Sequence, residues 1–299
     1  MKLLILGDVV GNAGLAHLEK HLRWQAAALG ADFVWVNGEN ATEIHGLNAF
    51  DAQRLLDAGA DLITLGNHAF SMRDLEYFLD DHPSQILRPA NYPPSAPGFG
   101  WTILPAANVR LLAINLAGTV FMEPLDSPFT VLSKILREQA GNFDEAVVDF
   151  HAEATSEKLA LARAFDGKVS CLFGTHTHVP TADACILPGG TGYVTDLGMT
   201  GPTGGVLGTD TEAVLRRLRD HLPAKFTVAG GTVRADGILL TLQGGKATEI
   251  RRIALRKEAL QRIPVGASHS DMPHSSALFL KYGTKKTAKS NLRCFFYWH

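Results

Sequence analysis

Cysteine is scarce in this chain: Cys171, Cys185 and Cys294 are the three thiols among 299 residues. That count builds no disulfide framework, and the spacing suits no zinc finger, so a reducing compartment and small buried hydrophobes are the simpler reading. Net charge is equally modest. A formal value of −2 supplies no global attraction to long nucleic acid or to an anionic membrane. Long apolar runs are missing too: Met1-Lys2 leads into Leu3-Leu4-Ile5-Leu6, too short for a signal peptide or a span and without a small-residue cleavage site. A cytoplasmic protein with no membrane partner is expected. No internal repeat, glycine-rich phosphate loop or aromatic base clamp can be picked out. Tyr92, Phe99 and Trp101 are pocket candidates for which packing is the better explanation.

What is present is enough apolar material, 46% of the sequence, to bury a substantial core. Short apolar runs alternate with helical patterns. Strands are expected at Leu3 to Leu6, Phe33 to Asn37, Leu62 to Leu65, Leu111 to Asn115, Ala146 to Phe150 and Val169 to Phe173. Helices are expected at Leu15 to Leu29, Ala49 to Ala58, Met72 to Leu79, Thr130 to Gln139 and Glu153 to Ala164. Later runs, Gly192 to Thr195, Lys225 to Val228 and Ile238 to Leu242, have fewer helices between them and suggest antiparallel strands completing a second sheet. The architecture is therefore α/β and layered.

Polar blocks end these apolar runs: Gly7-Asp8, Gly38-Glu39-Asn40, Gly66-Asn67-His68, Asp149-Phe150-His151 and Gly174-Thr175-His176-Thr177-His178. In open α/β sheets, ligands collect outside the carboxyl ends of strands. Carboxylate, carboxamide and imidazole groups without a thiolate suit two hard or borderline cations such as Mn, Fe or Zn, and hence phosphoester hydrolysis. Each residue has a duller alternative. Asp8 could cap the helix after Gly11; Asn67 could serve a left-handed turn, with His68 capping or packing; His151 could be a hydrogen-bonded core histidine. His176 and His178 are harder to explain structurally, because alternation after a strand lets two imidazoles address neighbouring ions. The remaining histidines read as surface or packing residues, with His45 the exception that could approach substrate from the loop Ala41 to Gly46.

The order of these blocks resembles the calcineurin-like metallophosphoesterases, and more closely their bacterial YmdB-like branch. Gly7-Asp8-Val9-Val10-Gly11, Asn37-Gly38-Glu39-Asn40-Ala41, Arg88-Pro89-Ala90-Asn91, the run from Asp149 to Lys158, and the run from Thr195 to Pro202 carry the likeness. The resemblance implies a layered β-sandwich of two mixed sheets flanked by helices, forming a metallophosphoesterase domain over 1–256. It ends there, leaving 257–299 as a C-terminal tail of unknown role. It further implies that Asp8, Glu39, Asn40 and His178 hold one metal ion while Glu39, Asn67, His151 and His176 hold the other, with Glu39 bridging. Iron or manganese is the first choice and zinc also fits. Metal-bound hydroxide would be the nucleophile, with His68 protonating the leaving oxygen. Glu153, Thr155, Ser156, Lys158 and Asp196 could orient ligands or touch phosphate, although Thr155 or Ser156 could equally cap a helix.

The implied substrate is a small phosphoester, a cyclic nucleotide, with 2′,3′-cyclic nucleotides opened at the 2′ bond as the sharper expectation. Alternatives are a phosphomonoesterase or another phosphodiesterase on the same site, or a regulatory protein that binds a nucleotide or RNA and turns it over weakly. Oligomeric state, a homo-oligomer included, is left open.

Overall fold

The computed structural model describes residues 1–256; the tail expected over 257–299, Cys294 with it, lies outside the described residues. Two sheets face each other. The first is built on β1 (Lys2–Leu6), β3 (Phe33–Asn37), β4 (Leu62–Thr64) and β5 (Ile86–Leu87), which run parallel as neighbours. On the other side of β1 lies the antiparallel β13 (Val233–Gln243), which also pairs with β12 (Met199–Pro202) and β14 (Lys246–Arg256). The short β2 (Asp8–Val9) closes that edge beside β12. The second sheet runs in the order β10 (Cys185–Ile186), β11 (Gly192–Val194), β9 (Cys171–Thr175), β8 (Glu145–His151), β7 (Val109–Ala117) and β6 (Trp101–Ala106).

Alternation along the strands explains the layering. Leu3 and Ile5 of β1 turn into a cluster with Trp35, Ala113, Val147, Phe173 and Leu240, which is the core between the sheets. Leu4 and Leu6 face the opposite way, where α1 (Gly11–Leu29), α2 (Ala49–Ala58) and α3 (Leu75–Asp81) cover them with Leu15, Leu18, Leu55 and Leu79. Leu112, Ile114, Val148 and Phe150 do the same for the second sheet, under α4 (Pro128–Glu138) and α5 (Thr155–Ala164). The last helix, α6 (Thr211–Leu218), buries only Val214. With both faces covered, central strands are apolar throughout rather than alternating in polarity. The Trp35 ring meets Phe173 edge-on across the core, centroids 5.4 Å apart, a favoured aromatic geometry.

The expected two-sheet α/β sandwich is observed, but the late strands are distributed differently. Ile238 to Leu242 lies inside β13, against β1 in the first sheet, and therefore does not complete a second one. Gly192 to Val194 is parallel to β9 and antiparallel only to β10. Lys225 to Val228 forms no strand; Val228 makes one isolated pairing with Thr209. A buried strand without polar alternation carries no mark of which sheet it joins, which is why pattern reading misassigned β13. Cys171 is buried as expected, whereas Cys185 is exposed on the edge strand β10. No helix among the described residues is long and apolar enough to cross a membrane.

Candidate metal centre

Five strand ends converge. Asp8 follows β1, Glu39 and Asn40 follow β3, Asn67 and His68 follow β4, His151 ends β8, and His176 and His178 follow β9. Parallel strands point all these carboxyl ends the same way, so the two sheets deliver their polar blocks to one place. Asp8, Glu39, Asn40 and His151 are buried, while Asn67, His68, His176 and His178 form the partly open side.

Contacts among them are short. His151 Nε2 lies 2.9 Å from Glu39 Oε1, 3.1 Å from Asn67 Oδ1 and 3.0 Å from His176 Nδ1. Donor atoms of Glu39, His151 and His176 all fall within 4.8 Å of one another, a grouping that could hold a metal ion. At the same Glu39 oxygen, the Asn40 amide donates to Oε1 at 3.3 Å, and it also donates to His178 Nε2 at 3.3 Å. His178 Nε2 is also 3.5 Å from Asp8 Oδ2. His68 donates its backbone N–H to Glu39 Oε2 at 3.2 Å, and its ring stands 4.5 Å from that of exposed His45. Thus all eight expected site residues are brought together, and His45 joins them at the rim.

The donor set suits cations. Asp8 Oδ1 and Asn40 Oδ1 are buried with no hydrogen-bond partner, a costly arrangement for an oxygen unless something else satisfies it. Each histidine engages one ring nitrogen elsewhere and turns the other inward. His178 Nδ1 donates to Leu207 O at 3.0 Å, His176 Nε2 meets Glu153 Oε2 at 3.0 Å, and His151 Nδ1 meets Thr175 Oγ1 at 2.9 Å. Such outer partners are the usual support of metal-binding imidazoles. Burial opposes charge on both Glu39 and His151, but their mutual attraction wins: Glu39 is held down at about 2 and His151 pushed up to about 9. Burial moves Asp8 the other way, well above the usual carboxylate range. Burial also lowers His68, and takes His176 down to about 3.

Local backbone conformation is specialised as well. His176 and His178 have φ of 101° and 63°, sparsely populated for residues with a Cβ and maintained only where the surroundings enforce them. The His176 N–H donates to Asp8 Oδ2 at 2.8 Å, and the Thr177 N–H to Asp196 Oδ2 at 3.0 Å. Asp196 is in turn paired with fully buried Lys158, whose Nζ reaches it at 2.8 Å and Thr175 O at 2.8 Å. A Cβ on Gly66 would overlap the His151 ring and Glu39 Oε2, so only glycine admits the approach of β4 to the cluster.

The structural alternatives can now be judged. Asp8 does not cap α1, whose N-cap is Val10. Thr155 and Ser156 do not cap α5 either, since its N-cap is Ala154 without a side-chain bond. Of the pocket candidates, Phe99 is exposed, Trp101 packs against the second helical layer, and half-buried Tyr92 meets Phe70 edge-on at 5.2 Å. Asn37, Asp149 and Thr175, which stand in the polar blocks and motifs but are given no role from the sequence, are all fully buried beneath the cluster. Their signal was alternation: Asp149 stands two positions before His151 and shares its face of β8.

Two facing mixed sheets, helices outside and a carboxylate–carboxamide–imidazole cluster at the strand ends are the features of a metallophosphoesterase, a class of phosphoester hydrolase. The family model described as YmdB-like protein matches residues 4–253, and the chain belongs to that family. It is 42% identical to the 2′,3′-cyclic-nucleotide 2′-phosphodiesterase of Bacillus subtilis (strain 168) over 86% of this chain and 98% of that protein. A hypothetical protein of known crystal structure from Thermus thermophilus superposes with a TM-score of 0.81 at 40% identity, over 86% of this chain and 99% of its own. A Mycoplasma pneumoniae structure described as a novel phosphatase superposes with a TM-score of 0.80 at 34% identity, over 88% of this chain and 97% of its own.

Proposed function

We propose that the domain spanning 1–256 is a dinuclear phosphodiesterase acting on 2′,3′-cyclic nucleotides and opening the 2′ bond. The observation that supports two ion positions most directly is the placing of Glu39. Its Oε1 lies 2.9 Å from His151 Nε2 and accepts from the Asn40 amide at 3.3 Å, so one carboxylate oxygen adjoins members of both proposed donor sets. Asp8, Asn40 and His178 would complete one donor set, and Asn67, His151 and His176 the other. When bound, two cations would clamp phosphoryl oxygens, acidify water and stabilise the charge developing during displacement.

The chain's own residues supply the rest. His68 is tied through its backbone to Glu39 and leaves its imidazole at the partly open side of the cluster. That position suits a proton donor to the leaving 2′ oxygen. Burial lowers its pKa in the free protein, and a bound phosphoester's negative charge would act in the opposite sense, loading the proton when substrate arrives. The Bacillus relative's named activity supports the choice of substrate. Iron and manganese are the favoured ions, with zinc compatible with the same donors.

The test is product analysis of 2′,3′-cyclic AMP incubated with manganese-loaded protein of verified metal content. Accumulation of 3′-AMP is expected. Release of 2′-AMP would reverse the bond assignment, and intact substrate beside turnover of a monoester would replace the diesterase reading with a phosphomonoesterase.

A further inference from the structure

Beneath the cluster, a chain of hydrogen bonds crosses from one sheet to the other, and its directions can be worked out from one end. An indole N–H can only donate, so Trp35 Nε1, 2.9 Å from Thr64 Oγ1, makes that hydroxyl an acceptor. The single Thr64 proton then goes to Asp149 Oδ2 at 2.5 Å, where Asn37 Nδ2 also donates at 3.0 Å. Asp149 is therefore an acceptor on that oxygen twice over. Its other oxygen, Oδ1, receives the Thr175 hydroxyl at 2.7 Å. A hydroxyl has one proton to give, so the face of Thr175 Oγ1 turned toward His151 must accept. His151 Nδ1, 2.9 Å away, carries the hydrogen.

We propose that Asp149 and Thr175 are positioning residues that hold the hydrogen on His151 Nδ1 and fix the ring orientation, so that Nε2 is the nitrogen that gives up its proton to a metal ion in the cluster. This rests on the reading of His151 as a metal donor. Asp149, Thr175, Asn37 and Thr64 are all fully buried, where an unpartnered polar atom costs about 1–3 kcal/mol. Four polar side chains between two sheets are thus an arrangement that apolar residues would replace more cheaply, unless the direction of the chain matters. Its terminus is the ring nitrogen that faces Glu39, Asn67 and His176. Asn37 Nδ2 also lies 3.4 Å from Thr175 Oγ1, a second donor that reinforces the acceptor role of that hydroxyl.

The test uses full-length protein with ¹⁵N-labelled histidine and Zn²⁺ as a diamagnetic probe. Affinity is read by competition with a chelator and the His151 Nδ1–H by NMR. T175S keeps the hydroxyl and should bind Zn²⁺ as wild type does, with the Nδ1–H resonance retained. T175V keeps the shape but removes the acceptor, and should lose ~10–100-fold in affinity, the usual effect of deleting such an outer partner. D149N supplies an independent arm. Because Asn37 and Thr64 already donate at one oxygen, its carboxamide turns its NH₂ toward Thr175, which takes away the acceptor of the Thr175 proton and frees that proton to compete with Nδ1–H for the space between Thr175 and His151. Zinc affinity should fall there as well.

Unchanged affinity and an unchanged Nδ1–H resonance in folded T175V would overturn the proposal. So would weakened binding in T175S with normal binding in T175V, which would assign the methyl group rather than the hydroxyl. If Zn²⁺ leaves the wild-type His151 resonances unmoved, it is the metal reading of His151 that fails, whatever the variants do.

Discussion

Replacing Lys158 by methionine removes one half of a buried ion pair while preserving most of the side-chain volume. Lys158 and Asp196 are both buried, with a 2.8 Å contact between them, and the same ammonium donates to Thr175 O at 2.8 Å. Breaking such a pair from one side typically costs 3–5 kcal/mol, because the remaining charge is left uncompensated. Asp196 still accepts from the Thr177 N–H at 3.0 Å and the Gly198 N–H at 2.9 Å, so the lower end applies. The expected loss is ~3 kcal/mol, measured by urea unfolding of chelator-treated protein. In a domain of this size that corresponds to a melting temperature lower by ~6 °C. Adding D196N removes the orphaned charge and should recover at least ~1 kcal/mol in a double-mutant cycle. A K158M loss below ~1 kcal/mol, or a cycle without coupling, would refute the claim that this pair braces the His176-to-His178 turn.

Other perturbations separate the site's parts. G66A places a methyl group against the His151 ring and Glu39 Oε2; overpacking of ~1–3 kcal/mol should accompany a rate loss near 10²-fold, and normal turnover would show that the strand end shifts freely. H68A should retain its metal by elemental analysis yet lose ~10²–10⁴ in turnover, whereas H176A should lose one ion together with activity; full occupancy in H176A would remove that residue from the donor set. Away from the site, burial on α1 lowers His17 to about 4 from 6.5, with His21 adding repulsion. Its native form therefore binds fewer protons than the unfolded chain between those values, so its contribution is complete above pH 6.5 and lost as pH falls toward 4. H17Q should flatten the acid limb of the stability profile by about 1–2 kcal/mol after allowance for solvent screening, and superimposable profiles would contradict this.

Legibility in the sequence followed the range of the interaction. Ala49–Ala58 was readable to the residue because its ends are local: Asn48 accepts from the Asp51 N–H, and Gly59 ends the helix at φ 110°. α1 begins at Gly11, earlier than its apolar periodicity at Leu15 indicates, with no side-chain cap to mark the start. β6 and β14 were not anticipated. β6 contains Pro105, and β14 pairs with β13 through a turn at Gly244 and Gly245, both at positive φ. The polar blocks were legible because a strand end accompanies each one and glycine accompanies all but Asp149-Phe150-His151. The supporting roles of Asp149, Thr175 and Asn37 were not, since what gives these residues of the same blocks their meaning is contact across 112 residues between Asn37 and Asp149, and no local pattern encodes that.

The same long-range contact explains why the cluster sits where it does. Asp8, Glu39 and Asn67 come from one sheet, His151 and His176 from the other, so neither sheet alone owns a donor set. A hydrophobic core fixes the sheets' separation, through contacts such as Trp35 against Phe173, but each dispersion contact is individually weak and carries no hydrogen-bond direction. Hydrogen bonds are directional and resist it. The Trp35–Thr64–Asp149–Thr175 chain starts in that core and ends at His151, so it converts packing between the sheets into alignment at their rim. A shift of one sheet by about 1 Å would break several of these bonds at once, which makes the buried polar layer a register device for a site assembled from both halves.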